Sequence, residues 1–431
     1  MSSSRVLWLS SQITRRIWFR ASLFSVLAIV TALLAIVLKP YIPADLSTRI
    51  GADAVDNVLG ILATSMLTVT TFSLSTMVSA YSAATNNVTP RATKLVMEDS
   101  STQNMLSTFV GAFLFSLVGI IALSTGAYGD SGRAILFLVT IIVIAVIVIT
   151  LLRWIDHLAK LGRVAETTQR VEKVAIAAMR TWHRKPNLGC QIWDGTSGLT
   201  QNAMPISVPQ IGYVQHIDAA RLSAIAAKAQ GRIFLRVIPG LLVAPTEPVG
   251  WLNCPDPSDH SDAIKNCITI GESRSFDQDP RFGATVLAEI ASRALSPAVN
   301  DPGTAIDVIA RALRILAVWN EPIEIENKID YPEVFLKPLI IDDLFDDLFT
   351  PIGRDGAGLV EVGLRLQKAF GILARFNGER YKLNALRHSK DALSRAEHSL
   401  TSDIDKDRIK NAARKVWEGP EIPARPFLRP R

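Results

Sequence analysis

Thr64, Thr68, Thr71, Ser75, Ser79 and Ser82 follow one another at intervals of 4, 3, 4, 4 and 3 residues. On a helix turning about 100° per residue, those intervals stack six hydroxyls on one narrow face. A hydroxyl is both donor and acceptor, so such a face could replace part of the water shell of an ion or small solute. The same residue types also suit close helix packing, because small side chains let spans approach and hydrogen-bond across the seam. Thr70, Ser73 and Thr76 fall off the face, where a hydroxyl can bond the carbonyl four residues back. No charged residue stands between Asn57 and Pro90, which excludes a carboxylate proton relay along the face. The polar segment "TNNVTPR" then puts Asn86, Asn87, Pro90 and Arg91 at its cytoplasmic mouth.

The other chemistry-bearing residues form no recognised set. Cys190, Cys254 and Cys267 include no CxxC pair, and the 6 histidines include no HxxxH or HExxH spacing, so neither a zinc site nor any cofactor is expected. "DDLFDDLF" sets Asp342 with Asp346, and Asp343 with Asp347, four residues apart. Four such carboxylates could meet a hard cation, but a helix offers no loop carbonyls, and an exposed acidic face is the commoner arrangement. "GRDGAG", Gly353 to Gly358, lacks the Lys-Ser/Thr of a phosphate loop. His216 stands alone and reads as structural. With no nucleophile and base pair, an enzyme is not expected.

The elements that must carry these residues are set by hydropathy. Mean hydropathy is +0.24, and the chain is 48% hydrophobic but only 20% charged, too apolar for an ordinary soluble protein. Ala21 to Leu38, Met105 to Tyr128 and Ala134 to Leu152 are uncharged and long enough to cross a hydrocarbon layer of about 30 Å. Arg5, Arg15, Arg16 and Arg20 precede the first run, while Arg153, Lys160, Arg163, Arg170 and Lys173 follow the last. By the positive-inside rule both ends are cytoplasmic. An even number of crossings is then required, so the hydroxyl-rich segment must cross as well. Between 153 and 185 there are eight Lys/Arg against three acids, so nearly all of the formal +6 charge is juxtamembrane and reflects topology and anionic lipid rather than nucleic acid.

The expected fold class is an α-helical multi-span membrane domain joined to a cytoplasmic α/β (α+β) domain with a small strand-rich module and a helical C-terminal part. Residues 1–156 would hold spans at about 18–39, 58–82, 105–128 and 133–154. A juxtamembrane extension helix over 157–185 would continue the last span without a break, since Trp154, His157, Leu161, Val164, Thr168, Val171, Ala175, Ala178 and Trp182 keep a 3,4 spacing. Residues 186–270 read as the strand-rich module, 271–418 as helical, and 419–431 as a flexible tail. Asp279-Pro280 and Asp301-Pro302 each place a cap before a proline suited to the first helical position. The intervening "SPAVND" reads as a tight helical hairpin or else a subunit or ligand contact, with Arg293 and Arg274 available as counter-charges.

"TVTTFSLSTMVSAYSAATNNVTPR", "MEDSSTQNMLSTFVGAFLFSL", "GYVQHID" and "SRALSPAVNDPGTA", in this order, resemble the bacterial membrane-protein family called domain of unknown function 2254. The resemblance covers nearly the whole chain and implies a four-span inner-membrane protein with a cytoplasmic C-terminal region. It implies no activity. Members commonly show Arg-Thr before the Gln-Asp where this chain has "SRSFDQD"; Arg274, Gln278 and Asp279 match, and with Arg293, Ser296, Asn300 and Asp301 they form the candidate cytoplasmic motif. The expected function is a homo-oligomeric channel for an ion or small solute in the bacterial inner membrane, with the Ser/Thr-rich second span lining the pore and a cytoplasmic domain regulating it. The alternative is a membrane-anchored scaffold or sensor that binds a partner through the cytoplasmic domain.

Overall fold

The computed structural model describes residues 17–37, 52–126, 129–255, 260–322, 329–376 and 378–418. The ends of the expected first span at 38 and 39, most of the first outer loop, Arg5, Arg15 and Arg16, and the tail 419–431 lie outside the described residues, as do the side chains of Arg20, Asn86 and Asn87. The chain divides into two compact units, one within Trp8–Thr167 and one within Thr168–Arg431.

The first unit contains helices α1 (Ile17–Val37), α2 (Ala52–Asn87), α3 (Pro90–Met97), α4 (Ser100–Ser124) and α5 (Gly129–Leu158), and the beginning of α6 (Val164–Arg184). Among the described residues, three helical segments are long and apolar enough to cross a membrane: Val55–Thr85, Ser100–Ser124 and Arg133–Leu158. The 21-residue α1 has a shorter fully described apolar stretch, Ala21–Thr31. α4 is central, with α1, α2 and α5 packed on it. Its buried small residues allow this: Gly111 lies against the backbone of Phe24, Gly119 against Leu59, and Ser107 and Ser116 return their hydroxyls to Gln103 O and Ala112 O. Val55, Leu59, Phe115 and Leu136 fill one end of this bundle, and Met66, Phe109, Ile147 and Trp154 the other.

α3 starts where the sequence says it should. Thr89 caps Ala92 N–H, and Pro90 occupies the first turn, where its missing N–H costs nothing. The expected continuous extension of the last span is not found. α5 ends at Leu158, Gly162 adopts φ 78, and α6 begins only at Val164. A left-handed glycine closes a helix end cheaply, and a Cβ here would stand 3.4 Å from Ala80 O. The 3,4 periodicity therefore runs across a break that it cannot reveal.

In the second unit, α6 continues and is followed by β1 (Cys190–Ile192), β2 (Met204–Ile206), β3 (Gly212–Ile217), α7 (Ala219–Lys228), β4 (Arg232–Leu235), β5 (Leu242–Val243), β6 (Gly250–Asn253), α8 (Ser261–Lys265) and β7 (Ile268–Gly271). Then come α9 (Pro280–Ala294), α10 (Pro302–Ala317), β8 (Tyr331–Leu336), α11 (Ile341–Asp355), α12 (Val360–Leu373), α13 (Glu379–Ser399) and α14 (Asp403–Glu418). One sheet has the order β1-β8-β4-β6-β2 and the other β5-β3-β7. β8 lies parallel between β1 and β4, although it comes from the segment expected to be helical. The strand-rich and helical parts are thus interleaved along the chain. Ile233, Leu235, Leu252, Val334 and Leu336 join Leu222 and Ala226 of α7 in one core. Gly283 of α9 lies so close to Ala175 of α6 that any side chain there would collide.

Candidate functional site

All six residues of the hydroxyl face, Thr64, Thr68, Thr71, Ser75, Ser79 and Ser82, are exposed. α2 uses its opposite face for packing, through Leu59, Ala63, Met66, Met77 and Ala84. Among the described residues no span of the same subunit covers this face, which is flanked by further exposed side chains, Ile61, Leu67, Phe72, Leu74 and Val78. The threonine hydroxyls are held by the helix itself. Thr64, Thr68 and Thr71 donate to the carbonyls of Gly60, Thr64 and Leu67 at 3.1, 2.9 and 2.9 Å, and each keeps its lone pairs outward. Off the face, Thr70 and Thr76 are half-buried and back-bonded in the same way. Ser73 is only 1% exposed, and its hydroxyl finds no hydrogen-bond partner among the described residues.

The face continues beyond Thr64. A cleft of about 500 Å³ is lined by Asp56, Asn57, Gly60, Ile61, Thr64 and Ser65, and Asn57 and Gly60 precede Thr64 by 7 and 4 residues, in register with the stripe. Sequence reading missed this extension because it counted hydroxyls only. At the other end, Pro90 opens α3 and Arg91 is exposed in its first turn, while the side chains of Asn86 and Asn87 lie outside the described residues.

The candidate cytoplasmic motif separates into two places. At the start of α9, Arg274 Nε and Nη2 donate to the Asp279 carboxylate at 2.7 and 3.0 Å, and the guanidinium lies 5.1 Å from the centre of the Phe282 ring. Asp279 in turn accepts from the N–H groups of Arg281 and Phe282. Burial pushes the Asp279 carboxyl up, opposed by the Arg274 guanidinium and those N–H groups. Gly240, with φ 94, is pressed onto the same carboxylate. Gln278 serves as an edge partner for β3, accepting from Ile217 N–H at 2.9 Å, while its carbonyl takes Trp182 Nε1 at 2.8 Å.

Arg293, Ser296, Asn300 and Asp301 lie at the far end of α9, 15 residues or about 22 Å away. Arg274 is thus no counter-charge for this loop, contrary to expectation: its guanidinium is held by Asp279. The loop is a tight hairpin. Asp301 N–H donates to Ala294 O at 2.8 Å, Asn300 N–H to Ser296 O at 2.9 Å, and Ser296 Oγ to Arg293 O at 2.7 Å. Asn300 takes the left-handed conformation, φ 51, that Asn tolerates best after Gly. Pro297, Ala298, Val299 and Asn300 are exposed at its tip.

The acidic helix α11 is a clamp rather than a solvated face. Arg281 of α9 pairs with both Asp343 and Asp347, whereas Asp342 accepts from Asn384 and Asp346 pairs with Arg387 of α13. Its alternating carboxylates therefore join two different neighbours. His216 is buried in β3, opposite Thr269 of β7.

One constellation escaped sequence reading. At the end of α5, His157 Nε2 stands 2.8 Å from Thr102 Oγ1 and 3.0 Å from Asp99 Oδ2, with the Trp154 ring stacked at 5.8 Å. Asp99 is also the cap of α4, accepting from Thr102 N–H at 3.2 Å. The cap was legible; the histidine 55 residues away was not.

Comparison with known proteins places the chain without assigning it an activity. An uncharacterised protein of Mycobacterium bovis and one of Mycobacterium tuberculosis are each 24% identical over 261 residues, covering 58% of this chain and 50% of their own length. The chain thus spans about half the length of the curated relatives it matches. No solved structure matches it significantly. Residues 14–371 match the family described as predicted membrane protein DUF2254, and the chain belongs to that family.

Proposed function

We propose that this chain is one subunit of a homo-oligomeric channel of the bacterial inner membrane, in which copies of α2 turn their hydroxyl faces toward a shared hydrated path for an ion or small solute. The observation that carries this reading is the exposure of all six stripe residues on a helix whose packed face lies elsewhere. Back-bonded threonines remain acceptors toward the path, as a permeating species that sheds water requires. Four spans with both termini cytoplasmic fit the basic residues that follow α5, and the unit within Thr168–Arg431 would regulate from that side. Ion flux from liposomes reconstituted with the purified protein tests the proposal: wild type should conduct, and leucine at Thr71 or Ser75 should stop it.

A second reading, a membrane-anchored scaffold or sensor, is favoured by the exposed tip of the α9–α10 hairpin, where Val299 is 48% exposed. A stoichiometric protein co-purifying with the wild type and lost on Val299→Asp would support it. We expect no catalysis from either arrangement.

A further inference from the structure

The polar ends of α4 and α5 meet at one level. α4 passes from Ser100, Ser101, Thr102, Gln103 and Asn104 to the apolar run that begins at Met105, while α5 is uncharged from Ala134 to Leu152 and next charged at Arg153. A cleft of about 450 Å³ straddles this boundary, lined by Ser101, Met105, Leu152, Arg153, Asp156, His157 and Lys160. Its apolar floor is Met105 and Leu152; its polar rim holds two cations and one anion. Asp156 is taken up by Lys160 at 2.8 Å, and Arg153 makes no ion pair among the described residues, so an exposed guanidinium is the uncompensated charge. The walls are fixed in advance, because His157 ties the last turn of α5 to Thr102 and Asp99 at the first turn of α4.

We propose that this cleft binds the headgroup of an anionic phospholipid from the surrounding bilayer, with its phosphate on Arg153, a second contact to Lys160, and the start of an acyl chain over Met105 and Leu152. A soluble phosphate would use the rim but not the apolar floor. The coincidence of the two at the depth where headgroup gives way to hydrocarbon selects the lipid. A guanidinium matches phosphate geometry with paired donors, which an ammonium does not, so Arg153 carries more of the recognition than Lys160. This inference does not depend on whether α2 lines a pore.

The test is native mass spectrometry of the full chain released from nanodiscs of phosphatidylcholine with and without phosphatidylglycerol, together with thermal melting in detergent as phosphatidylglycerol is added. Wild type should retain phosphatidylglycerol and melt higher in its presence. Arg153→Ala should weaken retention about tenfold, as expected for loss of a specific charge-assisted contact to the phosphate, with unchanged melting in phosphatidylcholine alone. Arg163→Ala removes an equal juxtamembrane charge outside the cleft and should leave retention intact. Equal losses from the two variants would reduce the effect to general basic attraction and overturn the site. A shift of the same size produced by inorganic phosphate would overturn the lipid as its occupant.

Discussion

Asp301 accepts two hydrogen bonds from Thr304, one from its backbone N–H at 3.0 Å and one from its hydroxyl at 2.6 Å. These bonds, the hydroxyl first, hold the Asp301 carboxyl below its usual range. The side chain is exposed and makes its bonds within its own helix, so its role is local. Asp301→Ala should cost about 0.5 to 2 kcal/mol, the range for a lost cap, read as a lower melting temperature of the detergent-solubilised protein. An unchanged melting temperature would remove the cap from the account of the hairpin, and a fall together with a change in oligomer size would make the hairpin an interface.

Acid should loosen the helical part of the unit within Thr168–Arg431 through His388. This imidazole lies among Phe345, Phe349 and Phe370, 3.1 Å from Asp346. Burial and then Arg387 push its pKa down to about 4 from 6.5, against the opposite pull of Asp346 and Asp391. Between those values the unfolded chain binds a proton that the folded chain refuses. Stability is therefore full above about pH 6.5 and falls as the pH drops toward 4, by an amount on the order of 3 kcal/mol at most. Hydrogen exchange of α11 and α13 in the full chain should accelerate over that window. His388→Leu should flatten the dependence, and an unaltered pH profile in that variant would assign the acid sensitivity to other groups.

What could be read in advance was what depends on neighbours in sequence. Asp279-Pro280 and Asp301-Pro302 open helices where expected, because a cap and a proline act within one turn. The uncharged runs gave apolar helices, because length and hydropathy are local sums. What failed depended on partners far along the chain. Arg274 could have served either of two carboxylates, and only the folded backbone brings Asp279 to it. β8 is six residues long, too short to show strand periodicity within a helical region, and its place in the sheet is decided by β1 and β4. The break at Gly162 was concealed because α5 and α6 each keep helical spacing. For the stripe, periodicity picked out a face but could not say which way it points; in the folded subunit the helix packs through Leu59, Met66 and Met77 on the other side, although bulky residues such as Phe72 and Ile61 are exposed.

Membrane topology is open to direct measurement. A reporter fused after Arg431 should be active in the cytoplasm, and one inserted near Ala44 should report the outer side. Reporters on the same side would exclude four crossings, and with them an orientation that puts the α4–α5 cleft in the cytoplasmic leaflet.

The exposure of the stripe sharpens the test of the pore. In a single subunit, leucine at Thr71 or Ser75 overfills no contact, because neither residue is packed against a neighbouring span. Folding of the subunit should survive both changes, leaving three distinguishable results. Loss of ion flux with the oligomer intact supports a path lined by α2, since a bulky apolar group there displaces water. Loss of the oligomer, at a cost of about 1 to 3 kcal/mol, makes the stripe a seam between subunits. No effect on either leaves it facing lipid and ends the channel proposal. The controls follow from burial. Phe72→Leu changes an exposed, already apolar position that borders the stripe and should be silent, whereas Ser73→Leu overfills a site that is 1% exposed and should destabilise the subunit itself. If Thr71→Leu and Ser75→Leu behave like Ser73→Leu rather than Phe72→Leu, α2 is turned differently from the arrangement described, and the hydroxyl face is part of the subunit core.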